Sequence, residues 1–266
     1  MTWKAAWRGV ILLASVVFCF LRFAPIFLRA ALSGRDVLPY ERAEWMHRCG
    51  LTFLHAMGIR FRVEGNPPAG RAVVVANHLS YLDIVIAGAA MPLSFVSKKE
   101  IAGWPAFGIL ARMGWTIFLD RASRASAWEA ADRMVERLRQ GVPVLFFPEG
   151  TSTDGSELLR FHSTLFAAAI ETGSSVVPAA IFYEPRGAGM SERSLCWYGD
   201  ESFLPHLVKV LGLDQFTAVI RFGAPERYPD RRTAAWRSHD AIETLRKQGS
   251  APAEGTQKRV RERQFG

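Results

Sequence analysis

The sequence predicts an α/β domain with a mostly parallel sheet flanked by helices, preceded by an N-terminal pair of membrane-associated helices. Two observations support the domain: from residue 60 onward short apolar runs alternate with helical stretches, and turn residues bound each run. The chain has 266 residues, 49% of them hydrophobic and 22% charged, so it can bury the core that such a domain needs. The composition excludes a collagen-like chain and a polytopic membrane protein, and the cysteine usage described below excludes a secreted domain held by disulfides.

The first element is an apolar run that is short for a membrane span. Thirteen uncharged residues lie between Arg8 and Arg22, and apolar residues resume after Arg22. A spanning helix requires roughly 20 apolar residues, so this run could be a membrane anchor, a signal peptide or a buried core helix. Pro25 follows Ala24, the only suitable cleavage residue, which favours a retained anchor over a cleaved signal peptide.

The second element is an amphipathic helix over residues 41–59. Its apolar positions recur at i, i+4 spacing: Trp45, Cys49, Phe53 and Met57. Residues 1–60 carry a net charge of +5, with Lys4 and seven arginines against three acids. We therefore expect residues 1–58 to form membrane-associated helices on an anionic leaflet, with an ordinary helical pair packed on the core as the alternative.

The remaining elements belong to one domain, residues 59–247, followed by a loose charged tail over 248–266. Strands are predicted at 60–64, 71–76, 93–97, 115–119, 142–147, 175–182 and 216–222. Helices are predicted at 80–90, 104–113, 123–139, 161–172, 202–211 and 231–247.

The net charge indicates which partners the protein can bind, and the cysteines indicate its compartment. The net charge of +8 favours an anionic membrane surface, a nucleic acid or a phosphorylated substrate. The basic residues are scattered and form no nucleic-acid-binding motif, so no nucleic acid is expected. The chain has three cysteines, an odd number without metal-binding spacing, which is typical of a reducing compartment.

Polar residues follow several predicted strands. His78 comes directly after strand 71–76, and Asp83 lies five residues later in the first turn of the next helix, where Ser80 is a candidate N-cap. In an open parallel sheet, ligands meet the carboxyl ends of strands. A carboxylate on one imidazole nitrogen would leave the other free as a general base, although a His–Asp pair alone is a weak signal.

Further charged residues follow the neighbouring strands. They are Lys98, Lys99, Arg121 and Glu149, the last followed by Gly150 and Thr151. Charged residues of this kind are common in solvated loops, where they need no functional explanation. At one edge of a parallel sheet they would line a basic pocket for an anionic substrate. A metal-dependent hydrolase using His78, Asp83, Glu149 and His162 is disfavoured, because these residues have no known metal-ligand spacing.

Four blocks in this order resemble the glycerolipid (lysophosphatidate) acyltransferase family. They are Asn77-His78 with Ser80 and Asp83, Phe118–Arg121, Phe147–Thr151 and Val176–Ala179. The resemblance implies acyl transfer from acyl-CoA or acyl-carrier protein to the free hydroxyl of a lysolipid, without a cofactor or metal. It implies that His78 is the base, that Asp83 orients it, and that the blocks at Arg121 and Glu149-Gly150 hold the acceptor. A catalytically silent membrane-binding relative is disfavoured, because both His78 and Asp83 are present.

One position departs from the family pattern. Many lysophosphatidate acyltransferases have a basic residue after the third block, where this chain has Ser152, and the run that follows resembles lyso-ornithine lipid acyltransferases. Lysophosphatidate is the expected acceptor, with Lys98, Lys99 and Arg121 available for its phosphate, and lyso-ornithine lipid is the alternative. The expected location is the cytoplasmic face of the inner membrane.

Overall fold

The computed structural model describes residues 2–186 and 190–249. Within them it contains one seven-stranded sheet, in the spatial order β1-β7-β6-β2-β5-β3-β4. The strands are β1 (Arg60–Glu64), β2 (Ala72–Ala76), β3 (Ser94–Lys98), β4 (Ile117–Leu119), β5 (Val144–Phe146), β6 (Ser175–Arg186) and β7 (Gln215–Phe222). Neighbouring strands are parallel, except that β6 and β7 are antiparallel. The predicted α/β class with a mostly parallel sheet is confirmed.

Eight α-helices accompany the sheet in the described residues. They are α1 (Trp3–Leu32), α2 (Pro39–Met57), α3 (Leu82–Ala90), α4 (Phe107–Met113), α5 (Arg124–Arg139), α6 (Ala167–Thr172), α7 (Phe203–Gly212) and α8 (Arg231–Gly249). Helix α8 continues two residues past the predicted domain end at 247. The rest of the predicted tail, residues 250–266, lies outside the described residues.

Strand β2 shows why the sheet needs helices on both faces. Its five residues are all buried, and alternate side chains point to opposite faces. Val74 belongs to a core shared with α1–α4 and α7, whereas Val73 and Val75 belong to a core shared with α5, α6 and α8. A run of β-branched residues without polar alternation is typical of such a doubly covered strand.

The predicted helix over residues 161–172 is about half as long in the structure. Residues 161–172 were expected to be helical, but α6 begins at Ala167 after a 3₁₀ turn over residues 164–166. The preceding backbone is bonded elsewhere: His162 N–H donates to the Pro148 carbonyl at 2.9 Å, and Leu159 N–H donates to the Glu149 carboxylate at 3.0 Å. These contacts hold the segment against the end of β5.

Helix α1 has two apolar faces with different surroundings. One face packs on the domain, and Trp45 of α2 donates from Nε1 to the Cys19 carbonyl at 2.9 Å. Arg8 also donates to the Leu213 carbonyl at 2.6 Å, at the end of α7. The opposite face exposes large apolar side chains, including Val10, Leu13, Val17, Leu21, Leu28 and Leu32. The helix is long and apolar enough to cross a membrane, and its exposed apolar face indicates membrane association.

Candidate active site

The carboxyl ends of β2, β5, β3 and β4 meet at one edge of the sheet, because these strands are neighbours and parallel. A cavity of about 120 Å³ lies at this edge. Four of the residues singled out in the sequence line it: His78, Lys98, Arg121 and Thr151. The structure therefore brings together residues from four separate segments of the chain.

His78 and Asp83 form a hydrogen-bonded pair beside this cavity. His78 Nδ1 lies 2.8 Å from Asp83 Oδ2, and the Asp83 side chain is fully buried. Because the carboxylate can only accept, it favours the tautomer with the proton on Nδ1. The His78 residue is 8% exposed, and its Nε2 is then free to accept a proton from a ligand in the cavity.

The turn between β2 and α3 fixes this pair. Asp83 Oδ2 also accepts the backbone N–H of Leu79 at 2.6 Å and of Ser80 at 2.9 Å. The Ser80 hydroxyl accepts the Leu82 N–H at 3.3 Å, so Ser80 and Asp83 make the expected capping contacts although α3 begins at Leu82. The same carboxylate thus closes the helix start and orients the imidazole.

Glu149 supports the backbone of His78. One of its carboxylate oxygens accepts the His78 N–H at 2.8 Å, and the other accepts the Leu159 N–H at 3.0 Å. Burial raises the pKa of Glu149, and the two backbone donors partly oppose that effect. The role predicted for Glu149 in holding the acceptor stays a prediction, and the observed contacts give it a structural part as well.

Two more neighbours define the position of His78. The Phe147 ring stacks on the imidazole, with ring centroids 4.0 Å apart. The Asn77 side chain exchanges two hydrogen bonds with the Ile181 backbone, at 2.8 and 2.9 Å, and so ties the end of β2 to β6. The Phe147 ring therefore covers one face of the imidazole, and the Asn77 contacts fix the backbone next to His78.

The basic residues divide into free and paired groups. Lys99 forms an ion pair with Asp120 and is not among the residues lining the cavity. Lys98 and Arg121 line the cavity, and within the described part of the chain neither has a carboxylate within 4.0 Å. Two cationic side chains near His78 are therefore available to an anionic ligand.

Arg121, Gly150 and Thr151 also line a larger adjacent cleft of about 460 Å³. Gly150 has a φ of 74°, a left-handed conformation that favours glycine and turns the chain sharply after Glu149. His162, considered in the sequence only as a possible metal ligand, lines this cleft and not the cavity at His78.

An apolar chamber of about 140 Å³ adjoins the cavity. Both spaces are lined by Tyr81, Ile84, Ser97 and Ile101. The chamber is bounded by residues of α1, α2, α3, α4 and α7, and its surface is almost wholly apolar. The sequence analysis did not predict this chamber, because its lining combines five helices with β3, and no local sequence pattern records how they pack.

The sequence analysis also missed Tyr183, whose hydroxyl donates to Asp83 Oδ1. A buried tyrosine hydroxyl usually has a hydrogen-bond partner, but the partner here is 100 residues away in the chain. Among the described residues, no group of three or more His, Cys, Asp or Glu side chains is arranged to hold a metal ion.

Comparisons with known proteins agree with this architecture. A family model described as "Acyltransferase" matches residues 59–182. A lyso-ornithine lipid O-acyltransferase from Pseudomonas aeruginosa is 35% identical over 222 residues, covering 82% of this chain and 83% of that protein. A 1-acyl-sn-glycerol-3-phosphate acyltransferase from Neisseria meningitidis is 32% identical, covering 69% of this chain and 72% of that protein.

A solved structure shares the fold. The crystal structure of the 1-acyl-sn-glycerophosphate (LPA) acyltransferase from Thermotoga maritima aligns with a TM-score of 0.62 at 19% identity, covering 93% of this chain and all of that one. At this identity the likeness concerns the fold alone. Taken with the sequence relatives, it means that the chain belongs to the acyltransferase family and is an enzyme of the lysophospholipid acyltransferase kind.

Proposed function

We propose that this enzyme transfers a fatty acyl group from a thioester donor, acyl-CoA or acyl-carrier protein, to the free hydroxyl of a lysolipid. The observation that supports the proposal is the buried His78–Asp83 pair at a cavity that carries Lys98 and Arg121. His78 Nε2 accepts the hydroxyl proton as the acceptor oxygen attacks the thioester carbonyl. The tetrahedral intermediate then expels the thiolate, which takes the proton from the imidazolium. Since the thioester is already activated, this direct attack needs no acyl-enzyme intermediate.

Asp83 stabilises the imidazolium formed during this proton transfer. Its Oδ2 lies 2.8 Å from His78 Nδ1, within reach of a charge-assisted hydrogen bond. Glu149 acts on the same residue from the backbone, because its contact with the His78 N–H fixes the main chain. The pair and its support therefore present Nε2 in one orientation.

For the acceptor, we propose a lysolipid whose headgroup carries an anion, with lyso-ornithine lipid as the first candidate. Relatives from Pseudomonas aeruginosa, Rhodobacter capsulatus and Brucella abortus bear that activity in their names, at 35–40% identity. A lyso-ornithine headgroup carries one carboxylate, which Lys98 and Arg121 can bind, and one free ammonium group, so its net charge is smaller than that of a phosphate monoester. The neutral Ser152 beside them fits this smaller charge.

Lysophosphatidate is the second candidate, favoured by the same two cations. Its phosphate monoester carries a charge of about −1.5 to −2 at neutral pH, since its second pKa is near 6. Lys98 and Arg121 would balance that charge without help from Ser152. The two candidates thus differ in how strongly each depends on the cations.

The apolar chamber is proposed to hold the fatty acyl chain of the donor. Its shared lining with the catalytic cavity places an apolar space directly beside His78. Burial of each methylene contributes about 0.8 kcal/mol, so a chain occupying the chamber gains affinity with length until the space is filled. The chamber would then select the transferred acyl group by its length.

The enzyme is proposed to act at the cytoplasmic face of the inner membrane. The exposed apolar face of α1 supports attachment to lipid, and residues 1–60 are net positive, which suits an anionic leaflet. Both candidate donors are water-soluble thioesters, so the site must be open to the compartment that contains them.

The proposal is tested with full-length protein purified in detergent and incubated with acyl-CoA and acyl-carrier-protein donors. The acceptor panel contains lyso-ornithine lipid, lysophosphatidate and a neutral lysolipid, and products are identified by mass spectrometry. We expect acylation of lyso-ornithine lipid or lysophosphatidate by the native enzyme, none by His78→Ala, and native rates for His55→Ala, which removes an exposed histidine of α2. Comparable turnover by folded His78→Ala protein would refute the base assignment.

A further inference from the structure

We propose that Tyr183 is a positioning residue for the acyl transfer, which holds the Asp83 carboxylate in the one orientation that serves His78. Tyr183 lies on β6, opposite Ala218 of β7. Its hydroxyl donates a hydrogen bond to Asp83 Oδ1. The inference rests on the proposed role of His78 as the base.

The two oxygens of Asp83 have unequal surroundings. Oδ2 accepts three hydrogen bonds, from His78 Nδ1 and from the backbone N–H groups of Leu79 and Ser80. Oδ1 accepts one, from Tyr183, and within residues 2–186 and 190–249 it has no other donor. The carboxylate plane is therefore defined at one oxygen by the turn and at the other by Tyr183 alone. Without Tyr183, rotation about the Cβ–Cγ bond would meet resistance only from the donors at Oδ2.

Tyr183 is itself held firmly. Its residue is 3% exposed, and its ring packs edge-on against Phe216 with centroids 5.8 Å apart. Its backbone N–H donates to Glu192 at 3.0 Å, and Glu192 in turn accepts from Arg246 of α8 at 2.9 Å. A fully buried phenol on a central strand loses little further conformational freedom when it forms a hydrogen bond. Its hydroxyl can therefore hold the Asp83 carboxylate in one orientation.

Tyr183 acts through Asp83 and does not touch the substrate. It lines neither the cavity at His78 nor the apolar chamber. Burial and the neighbouring Asp83 charge raise the pKa of Tyr183 well above its usual value, so the hydroxyl stays a donor throughout the working pH range. Its loss should consequently lower kcat and leave the KM for either substrate nearly unchanged.

The division of the loss between kcat and KM distinguishes positioning from a general structural role. A displaced Asp83 carboxylate stabilises the imidazolium less in the transition state, which lowers kcat. A loosened fold around the cavity would raise the KM for the acceptor or the donor as well. Tyr183→Phe should therefore lower kcat and keep the KM values of the native enzyme.

The other ionisable groups near this network have surroundings that Tyr183→Phe does not change. Burial raises the pKa of Glu149, and its oxygens are bonded to backbone N–H groups. Burial likewise raises the pKa of the Cys196 thiol to about 12, so it remains neutral. Glu192 faces the Tyr183 backbone and is paired with Arg246. Tyr183→Phe leaves all three groups in place.

The test compares Tyr183→Phe with Tyr228→Phe, which removes the hydroxyl of a half-buried tyrosine outside these contacts. The assay uses the best acceptor and donor found for the native enzyme, and thermal unfolding reports the fold. We expect kcat to fall roughly 10-fold or more in Tyr183→Phe at native KM values, and no change in kcat in Tyr228→Phe. Native kcat, or a KM that rises as much as kcat falls, in folded Tyr183→Phe protein would overturn the inference.

Two further variants keep the inference testable if Tyr183→Phe folds poorly. Site-specific 3-fluorotyrosine at position 183 retains the ring and the donor hydroxyl, so kcat should stay near the native value; a loss as large as that in Tyr183→Phe would refute the inference. In an Asp83→Asn background, Tyr183→Phe should lose most of its effect on kcat, because the residue acts through that carboxylate. His78→Ala separates the two proposals: activity in that variant overturns the proposed base, whereas inactivity with a normal Tyr183→Phe enzyme overturns only the positioning role.

Discussion

Replacing Asp83 with asparagine removes a buried charge and keeps the shape of the side chain. The asparagine oxygen can face the three donors that now surround Oδ2, namely His78 Nδ1 and the N–H groups of Leu79 and Ser80. The new NH₂ group then faces the Tyr183 hydroxyl, which can rotate to accept. The three donors at the oxygen keep their partner in this arrangement, and the Tyr183 hydroxyl proton loses its acceptor, so we expect Asp83→Asn to fold with reduced stability.

The stability change follows from the hydrogen bonds that become neutral. Bonds to charged groups contribute about 1.5–3 kcal/mol and neutral ones about 0.5–1.5, so three weakened bonds cost a few kcal/mol. Relief of the desolvation of the buried carboxylate offsets part of this loss. A net loss of about 2 kcal/mol corresponds to a fall in Tm of roughly 4–8 °C for a chain of this size. Differential scanning calorimetry in detergent measures it.

The catalytic loss should be larger than the stability loss. In serine-protease triads the equivalent change lowers kcat by about 10⁴, because the imidazole is left in the wrong tautomer. We expect a fall of about 10²–10⁴ here, because a neutral amide stabilises the imidazolium formed during proton transfer less than a carboxylate does. Asp132→Asn, at an exposed position of α5, is the matched control. Activity within about threefold of native in folded protein would refute the role assigned to Asp83.

Four other outcomes are expected. Arg121→Ala should depress kcat/KM for an anionic acceptor by about 2–3 kcal/mol in steady-state assays and change donor use far less; equal losses for a neutral lysolipid would contradict the headgroup assignment. Leu13→Glu, on the exposed face of α1, should weaken sedimentation with anionic vesicles roughly 10-fold or more at native Tm, and unchanged binding would exclude that face as the membrane contact. Thr116→Leu narrows the apolar chamber and should shift the products, analysed by mass spectrometry, toward shorter acyl chains; an unshifted profile would separate the chamber from the acyl chain. Gly50→Ala should lower the free energy of unfolding by about 1–3 kcal/mol, because its Cβ would lie 2.7 Å from the Ala89 nitrogen. Gly103→Ala is the control and should be near neutral, because open space surrounds that position. Equal effects of the two substitutions on stability would show that the α2–α3 contact can relax.

The sequence predicted most elements of the fold because their signals are local. Strand β2 is a buried run of β-branched residues ended by Asn77 and His78, and that pattern needs no tertiary information. The end of β6 was missed by four residues, since its last residues extend as partners of β7. The start of α6 was missed because Glu149 and Pro148, well before it in the chain, bind the backbone of the segment that leads to it.

The candidate site was predictable only in part for the same reason. His78 and Asp83 are five residues apart, so a single turn brings them together, and the sequence analysis paired them. Lys98 and Lys99 are adjacent in the chain, yet only Lys98 lines the cavity, because Asp120 binds Lys99 outside it. Tyr183 carries no local signal at all, since its contact with Asp83 exists only through the pairing of β6 with β2.

The position of the apolar chamber connects the membrane contact with the chemistry. Leu12 of α1 lines the chamber, while its neighbour Leu13 is 69% exposed on the outer face of the same helix. Phe53 of α2 lies on the chamber wall as well, so the helical pair both covers the chamber and carries the surface expected to meet lipid. A lysolipid held at that surface would meet at His78 a donor whose acyl chain lies in the chamber, away from bulk water, where each exposed methylene costs about 0.8 kcal/mol. Under the proposed function, the N-terminal helices therefore belong to the substrate site and are more than an anchor, and a variant that detaches α1 from α2 should lose activity toward detergent-dispersed and bilayer-embedded acceptors alike.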